Sequence, residues 1–118
     1  MTSLFANDKT GGSFIRSMVY LNPRDLNFAT ESDGSRSAKL QLWSILFDVD
    51  GRVVEQVGED RTLKLTAKDY ERAAHDGIVY QLDVPAKKAG AYQVRVAVKD
   101  AASAKVGNAA QLVEVPAL

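Results

Sequence analysis

Gly90-Ala91-Tyr92-Gln93-Val94-Arg95-Val96-Ala97-Val98-Lys99-Asp100 alternates apolar and polar residues from Tyr92 onward. Tyr92, Val94, Val96 and Val98 fall on one parity, Gln93, Arg95 and Lys99 on the other. Successive side chains of a strand point to opposite faces, so the stretch is read as a strand with one buried face. Just upstream, Ile78, Tyr80, Leu82 and Val84 alternate in the same way with Val79, Gln81 and Asp83, and residues 85–90 (PAKKAG) turn one strand into the next. Downstream, the small residues of 101–108 (AASAKVGN) form a turn into a last strand, Ala109–Val115, which Pro116 closes.

Gly90-x-Tyr92 is similar to the tyrosine corner of immunoglobulin-like sandwiches, where the Tyr hydroxyl bonds back to nearby backbone, so Tyr92 is expected to be structural. One helix is expected, over Thr66–His75. Thr66 caps it, Asp69 stands three residues on, Gly77 ends it, and Tyr70, Ala73 and Ala74 form its inward stripe. Asp50-Gly51 reads as a two-residue hairpin turn between Ala38–Val49 and Arg52–Val57. Gly58-Glu59-Asp60 then reads as a second turn, into a strand over Thr62–Leu65. Within Ala38–Val49, Leu40 and Leu42 share one parity while Trp43, Ile45 and Phe47 share the other, which a mid-strand β-bulge would produce. Trp43, the lone tryptophan, is expected in the core.

Further upstream, Asp33-Gly34 is a turn in a polar loop over residues 29–37, and Leu26 and Phe28 plug the core from a connecting segment. Phe14–Leu21 is rich in β-formers on both parities, with Ile15, Val19 and Leu21 against Phe14, Met18 and Tyr20, and Pro23 follows it. Such a strand is covered on both sides or pairs with something outside the chain. Residues 1–13 read as a loose arm or lead-in strand ahead of a domain over 14–118. The expected fold is all-β: a two-sheet antiparallel sandwich of immunoglobulin-like type, with about seven strands and one short crossover helix. A small, partly open barrel is the alternative.

At 118 residues the chain is one domain. Apolar content of 46% and charged content of 25% are ordinary for a soluble globular protein. Fifteen Lys and Arg balance fifteen Asp and Glu, interspersed along the chain, which argues against nucleic acid as a partner. The absence of cysteine excludes disulfides, thiolate metal sites and Cys nucleophiles. No apolar run reaches the length of a membrane span, so no membrane insertion is expected, and the N-terminus lacks the layout of a signal peptide.

The segment DGIVYQLDVPAKKAGAYQVRVAVKDAASAKVGNAAQLVEVPAL, over 76–118, resembles the C-terminal region of von Willebrand factor A-domain-related proteins of Acidobacteria. GGSFIRSMVYLNPRDLNF (11–28) and LKLTAKDYERAAHDG (63–77) are similar to the same region. The resemblance implies an accessory β-sandwich placed after an A-type domain in an exported bacterial protein, hence an extracytoplasmic location. It implies no activity.

Three constellations invite chemistry. Asp33-Gly34-Ser35-Arg36-Ser37 matches D-x-S-x-S, whose carboxylate and hydroxyls are hard oxygen ligands for magnesium or calcium. That motif belongs between a buried parallel strand and a helix, whereas here a polar loop precedes it and a strand follows. Asp48 and Asp50 supply too few oxygens for calcium, which takes about six to eight. His75 is the only imidazole and has no nucleophile elbow to serve. No metal, cofactor or catalysis is therefore expected. Of the aromatics Tyr20, Trp43, Tyr70, Tyr80 and Tyr92, the last two lie on the apolar parity of their strands, which favours core over a sugar-stacking platform. Two functions follow as expectations. The favoured one is a non-enzymatic structural or protein-interaction module contacting a neighbouring domain or another protein through Phe14, Met18 and Tyr20, with homo-oligomerisation through an edge strand as a variant. The alternative is a carbohydrate- or small-ligand-binding sandwich, which a solvent-exposed line of aromatics on one sheet would favour.

Overall fold

The computed structural model describes residues 1–8, 12–103 and 106–116. Two antiparallel sheets pack face to face. One holds β1 (Thr2–Asp8), β2 (Gly12–Leu21) and β6 (Ile78–Pro85), in that order. The other holds β3 (Ala29–Thr30), β4 (Arg36–Phe47), β5 (Val53–Leu65), β7 (Gly90–Asp100) and β8 (Val106–Val115). We call them sheets A and B. β4 is the spine of sheet B, pairing with β5 on one side and with β7 and, at its start, β3 on the other; β8 follows β7. The helix α1 (Ala67–Asp76) carries the chain from sheet B to sheet A, so the fold is a β-sandwich with one crossover helix.

The core follows from period two. Ile15, Ser17 and Val19 of β2, Leu82 and Val84 of β6, and Tyr92, Val94, Val96 and Val98 of β7 are all buried. Ile15, Leu46, Val84, Val94 and Val113 form one apolar cluster, and Val19, Leu40, Leu42, Leu82 and Val96 a second. A serine lies between the clusters on each sheet. Ser17 shares a buried hydrogen bond with Ser3, Oγ to Oγ 2.8 Å, whereas the Ser44 hydroxyl is buried without a partner among the described residues.

α1 forms where its caps are. The Thr66 hydroxyl accepts from the Asp69 amide at 3.1 Å, and Gly77, at φ 81° and ψ 175°, follows the helix in a backbone conformation open to glycine, its amide donating to the Ala73 carbonyl at 2.6 Å. Gly77 is also a close approach: the Tyr20 ring lies where a Cβ would project, and the Tyr20 hydroxyl donates to the Asp76 carbonyl at 2.6 Å. Near the start of the helix, Tyr70 meets Phe28 edge-on at 5.1 Å and Arg36 over its face at 4.1 Å.

The structure departs from the sequence reading in several places. Of the two readings for the first residues, the loose arm gives way to the strand: Thr2–Asp8 pairs along β2, so the sandwich starts well before residue 14. β4 does not switch parity in mid-strand. Ala38, Leu40, Leu42, Ser44 and Leu46 are all buried, with Ser44 a polar member of the inward row. The bulge falls at the end instead, where Leu46 faces Glu55 and Phe47 faces Val53, leaving Val54 as the extra residue. Trp43 is accordingly half-buried on the outer face of sheet B and is not a core residue. Gly58-Glu59-Asp60 is no turn; β5 pairs through it without interruption. Gly58 sits opposite Trp43, and a Cβ there would lie 3.2 Å from the indole Cδ1, so this glycine makes room for a ring. β8 begins at Val106 rather than Ala109, which shortens the expected turn; residues 104 and 105 of that turn lie outside the described residues.

Candidate functional site

Each constellation singled out for chemistry is occupied locally. The Asp33 carboxylate accepts from the Ser35 amide at 2.9 Å and the Ser35 hydroxyl at 2.5 Å. These bonds, the hydroxyl's first, lower its pKa below the usual carboxylate value. Ser37 donates to Glu31 at 3.2 Å, so both motif hydroxyls are taken up by nearby carboxylates, Ser35's by Asp33 and Ser37's by Glu31, across a turn closed by the Gly34 amide on the Glu31 carbonyl. Asp48 does similar work at the β4–β5 hairpin, accepting from the amides of Asp50 and Arg52 at 2.9 and 3.0 Å. The connection spans residues 48–52, longer than a two-residue turn. His75 and Asp76 contact each other at 2.8 Å on the surface, with most of both side chains in water. Among the described residues no three His, Cys, Asp or Glu side chains group as metal ligands do, and no helix is long and apolar enough to cross a membrane.

One buried charge escaped the sequence reading. Asp100, at the end of β7, is 2% exposed. Burial opposes its ionisation, yet it accepts from the amides of Asn27 at 2.6 Å and Ala102 at 3.0 Å and from Ser103, and the donors together hold its pKa below the usual value. It ties the segment before β3 to the turn after β7. Asp following the alternating apolar row Tyr92–Val98 at the next inward position was the available signal.

Tyr92 is buried, and its hydroxyl donates to the Lys88 carbonyl at 2.7 Å. The bond staples the turn before β7 to the strand itself.

Phe14, Met18 and Tyr20 share the outer face of sheet A. Register places Leu4 and Thr2 beside them on β1, and Gln81, Asp83 and Val79 on β6. Leu4, Met18, Tyr20 and Val79 are exposed, at 49%, 37%, 59% and 53%. Phe14 is half-buried, with the Arg16 guanidinium 5.1 Å from its ring centroid. Arg16 also pairs across the strands with Asp83, Nε to Oδ1 at 3.0 Å. This outer face is therefore apolar at Met18, Tyr20 and Val79, with the Arg16–Asp83 pair between them and Phe14 and in the same cross-strand row as Leu4.

The outer face of sheet B carries the second unabsorbed feature. Trp43, Ile45 and Phe47 run along β4, flanked by Gly58 and Gln56 of β5 and by Ala97, Arg95 and Gln93 of β7. At the Phe47 end an open cleft of about 540 Å³ is lined by Phe47, Asp48, Gln93, Arg95 and Leu112. Arg95 stands 5.7 Å from the Phe47 centroid. The parity of β4 would have revealed this row had Ser44 been counted with Leu42 and Leu46.

No protein-family model matches the chain, and no curated protein matches its sequence. Among solved structures it is similar in fold to a Bacteroides uniformis β-glucuronidase, with a TM-score of 0.54 and 13% identity over 86% of this chain and 11% of that one. It is similar also to a calcium-binding mutant of Bacteroides uniformis β-glucuronidase 2, with a TM-score of 0.57 and 13% identity over 95% of this chain and 13% of the other. The chain thus spans a small fraction of these proteins, and the likeness is one of β-sandwich fold.

Proposed function

We propose that this chain is a non-catalytic accessory module of immunoglobulin-like type in an exported protein, and that it contacts a neighbouring A-type domain through the outer face of sheet A. The observation that carries the reading is the exposed apolar group Leu4, Met18, Tyr20 and Val79 on one sheet face. Exposed apolar patches favour partners because burial returns roughly 25 cal/mol per Å². The Tyr92–Lys88 bond supports the immunoglobulin-like class. The β-glucuronidases lend support of another kind: in them a sandwich of this fold is a small part of a far larger chain.

A face is favoured over an edge. β5 is the long free edge of sheet B, and it carries Glu55, Glu59, Asp60, Arg61 and Lys64. Glu59 and Arg61 pair on it at 2.8 Å, and charges on an edge discourage strand-to-strand association. The test is a variant with Met18→Ser and Val79→Ser, compared with the parent sequence for binding to the A-type domain by sedimentation. Weakened association with an unchanged circular dichroism spectrum supports the proposal; unchanged association removes sheet A as the contact.

A further inference from the structure

We infer that the outer face of sheet B binds carbohydrate chains, with Trp43 and Phe47 stacking on pyranose rings while Gln93 and Arg95 hydrogen-bond their hydroxyls. The site lies on the opposite sheet from the contact proposed above and does not depend on it.

The rings are aligned by the strand. Trp43 and Phe47 share a face of β4 four residues apart, about 13 Å at the rise of an extended chain. That is longer than one sugar ring and suits a short run of them. The surroundings are low: Trp43 has Gly58 on one side and Ala97 on the other, and Arg95 has Ala110 beyond it. The indole therefore has no tall side chain directly across either strand; Arg95 and Lys99 stand at the diagonal positions on β7.

Polar groups stand where hydroxyls would be. Gln93 and Arg95 line the 540 Å³ cleft beside Phe47, and among the described residues neither side chain has a hydrogen-bond or ion-pair partner, the Arg95 guanidinium standing by the Phe47 ring. Gln41 and Gln56, flanking the row on β4 and β5, are equally unengaged. Carboxamides donate and accept at once, as sugar hydroxyls do. An apolar cleft with a few convergent polar groups is the composition of a small-ligand site.

Other occupants fit less well. Arg95 and Lys99 run along β7 beside the row, so a second copy docked face to face would set cations against cations. A balanced net charge gives nucleic acid no field to follow.

The experiment is affinity electrophoresis of the chain through gels containing hydroxyethylcellulose, xylan, galactomannan or soluble starch. It is joined to titration of Trp43 fluorescence with the hexasaccharides of the same backbones. At least one polysaccharide is expected to retard the chain and shift the Trp43 emission. Phe47→Ala and Gln93→Ala should each weaken that association by about tenfold or more, while Met18→Ser on sheet A leaves it unchanged. Should the Phe47 variant fail to fold, amide chemical-shift mapping on the parent sequence decides, and the perturbed residues must lie on β4, β5 and β7. Retardation by none of the polysaccharides overturns the inference. So does retardation that survives Gln93→Ala, or shifts confined to sheet A.

Discussion

Tyr92 and Ser44 show how single side chains set local stability in opposite directions. Tyr92 is buried with its hydroxyl satisfied by the Lys88 carbonyl. Tyr92→Phe keeps the ring and loses the bond, so urea unfolding should show a loss of about 0.5–1.5 kcal/mol; a midpoint unchanged from the parent would leave the hydroxyl without a structural role. Ser44 is the reverse case, a buried hydroxyl between Leu42 and Leu46 with no partner among the described residues. Ser44→Ala removes an unsatisfied polar group and should stabilise the fold by about 1 kcal/mol. A destabilised variant would mean that the hydroxyl is engaged after all. Tyr92 was legible in the sequence because glycine, spacing and alternation all agreed on it. Ser44 was not, because a lone serine in an apolar row looks like an outward residue.

The side on which Ser44 falls decides the faces of a whole element. Treating Ser44 as outward splits β4 into two half-strands of opposite parity and puts Trp43, Ile45 and Phe47 inside. Treating it as inward gives one continuous row and leaves the aromatics outside, as the structure has it. Gly58 misled in the same region, since glycine beside Glu and Asp resembles a turn while its work is to clear space for Trp43. By contrast, the central strand β7, β6 and α1 were legible, because their alternation or their caps were unbroken. The parity of β4 can be tested by truncation on its two faces. Leu42→Ala should cost about 2–5 kcal/mol, as in a packed core, and Ile45→Ala about 1 kcal/mol, as on a half-covered face. Equal losses in thermal or urea unfolding would contradict the assignment of faces.

Across the whole molecule, acid stability should follow the carboxylates that folding holds in their charged form. Asp100 and Asp33 have lowered pKa values in the folded protein, so the folded state binds fewer protons than the unfolded chain as pH falls. Their contribution is present above an ordinary carboxylate pKa of about 4 and is lost as pH drops through and below it. Asp100→Asn should lower stability at pH 7 and flatten its decline between about pH 5 and 2; a variant with the same pH profile as the parent would remove Asp100 from the account. At the same scale, the sandwich turns two different faces outward, one with Met18 and Tyr20, the other with Trp43 and Phe47. The sequence pointed to the first and placed Trp43 of the second in the core. The proposed role as an accessory module rests on the first face meeting a neighbour. Hydroxyl-radical footprinting addresses it most directly, because methionine, tyrosine and tryptophan side chains react readily when exposed. Met18 and Tyr20 are expected to be oxidised in the chain alone and protected when the A-type domain is present, with Trp43 equally reactive in both. Equal oxidation of Met18 and Tyr20 in the two samples would contradict it.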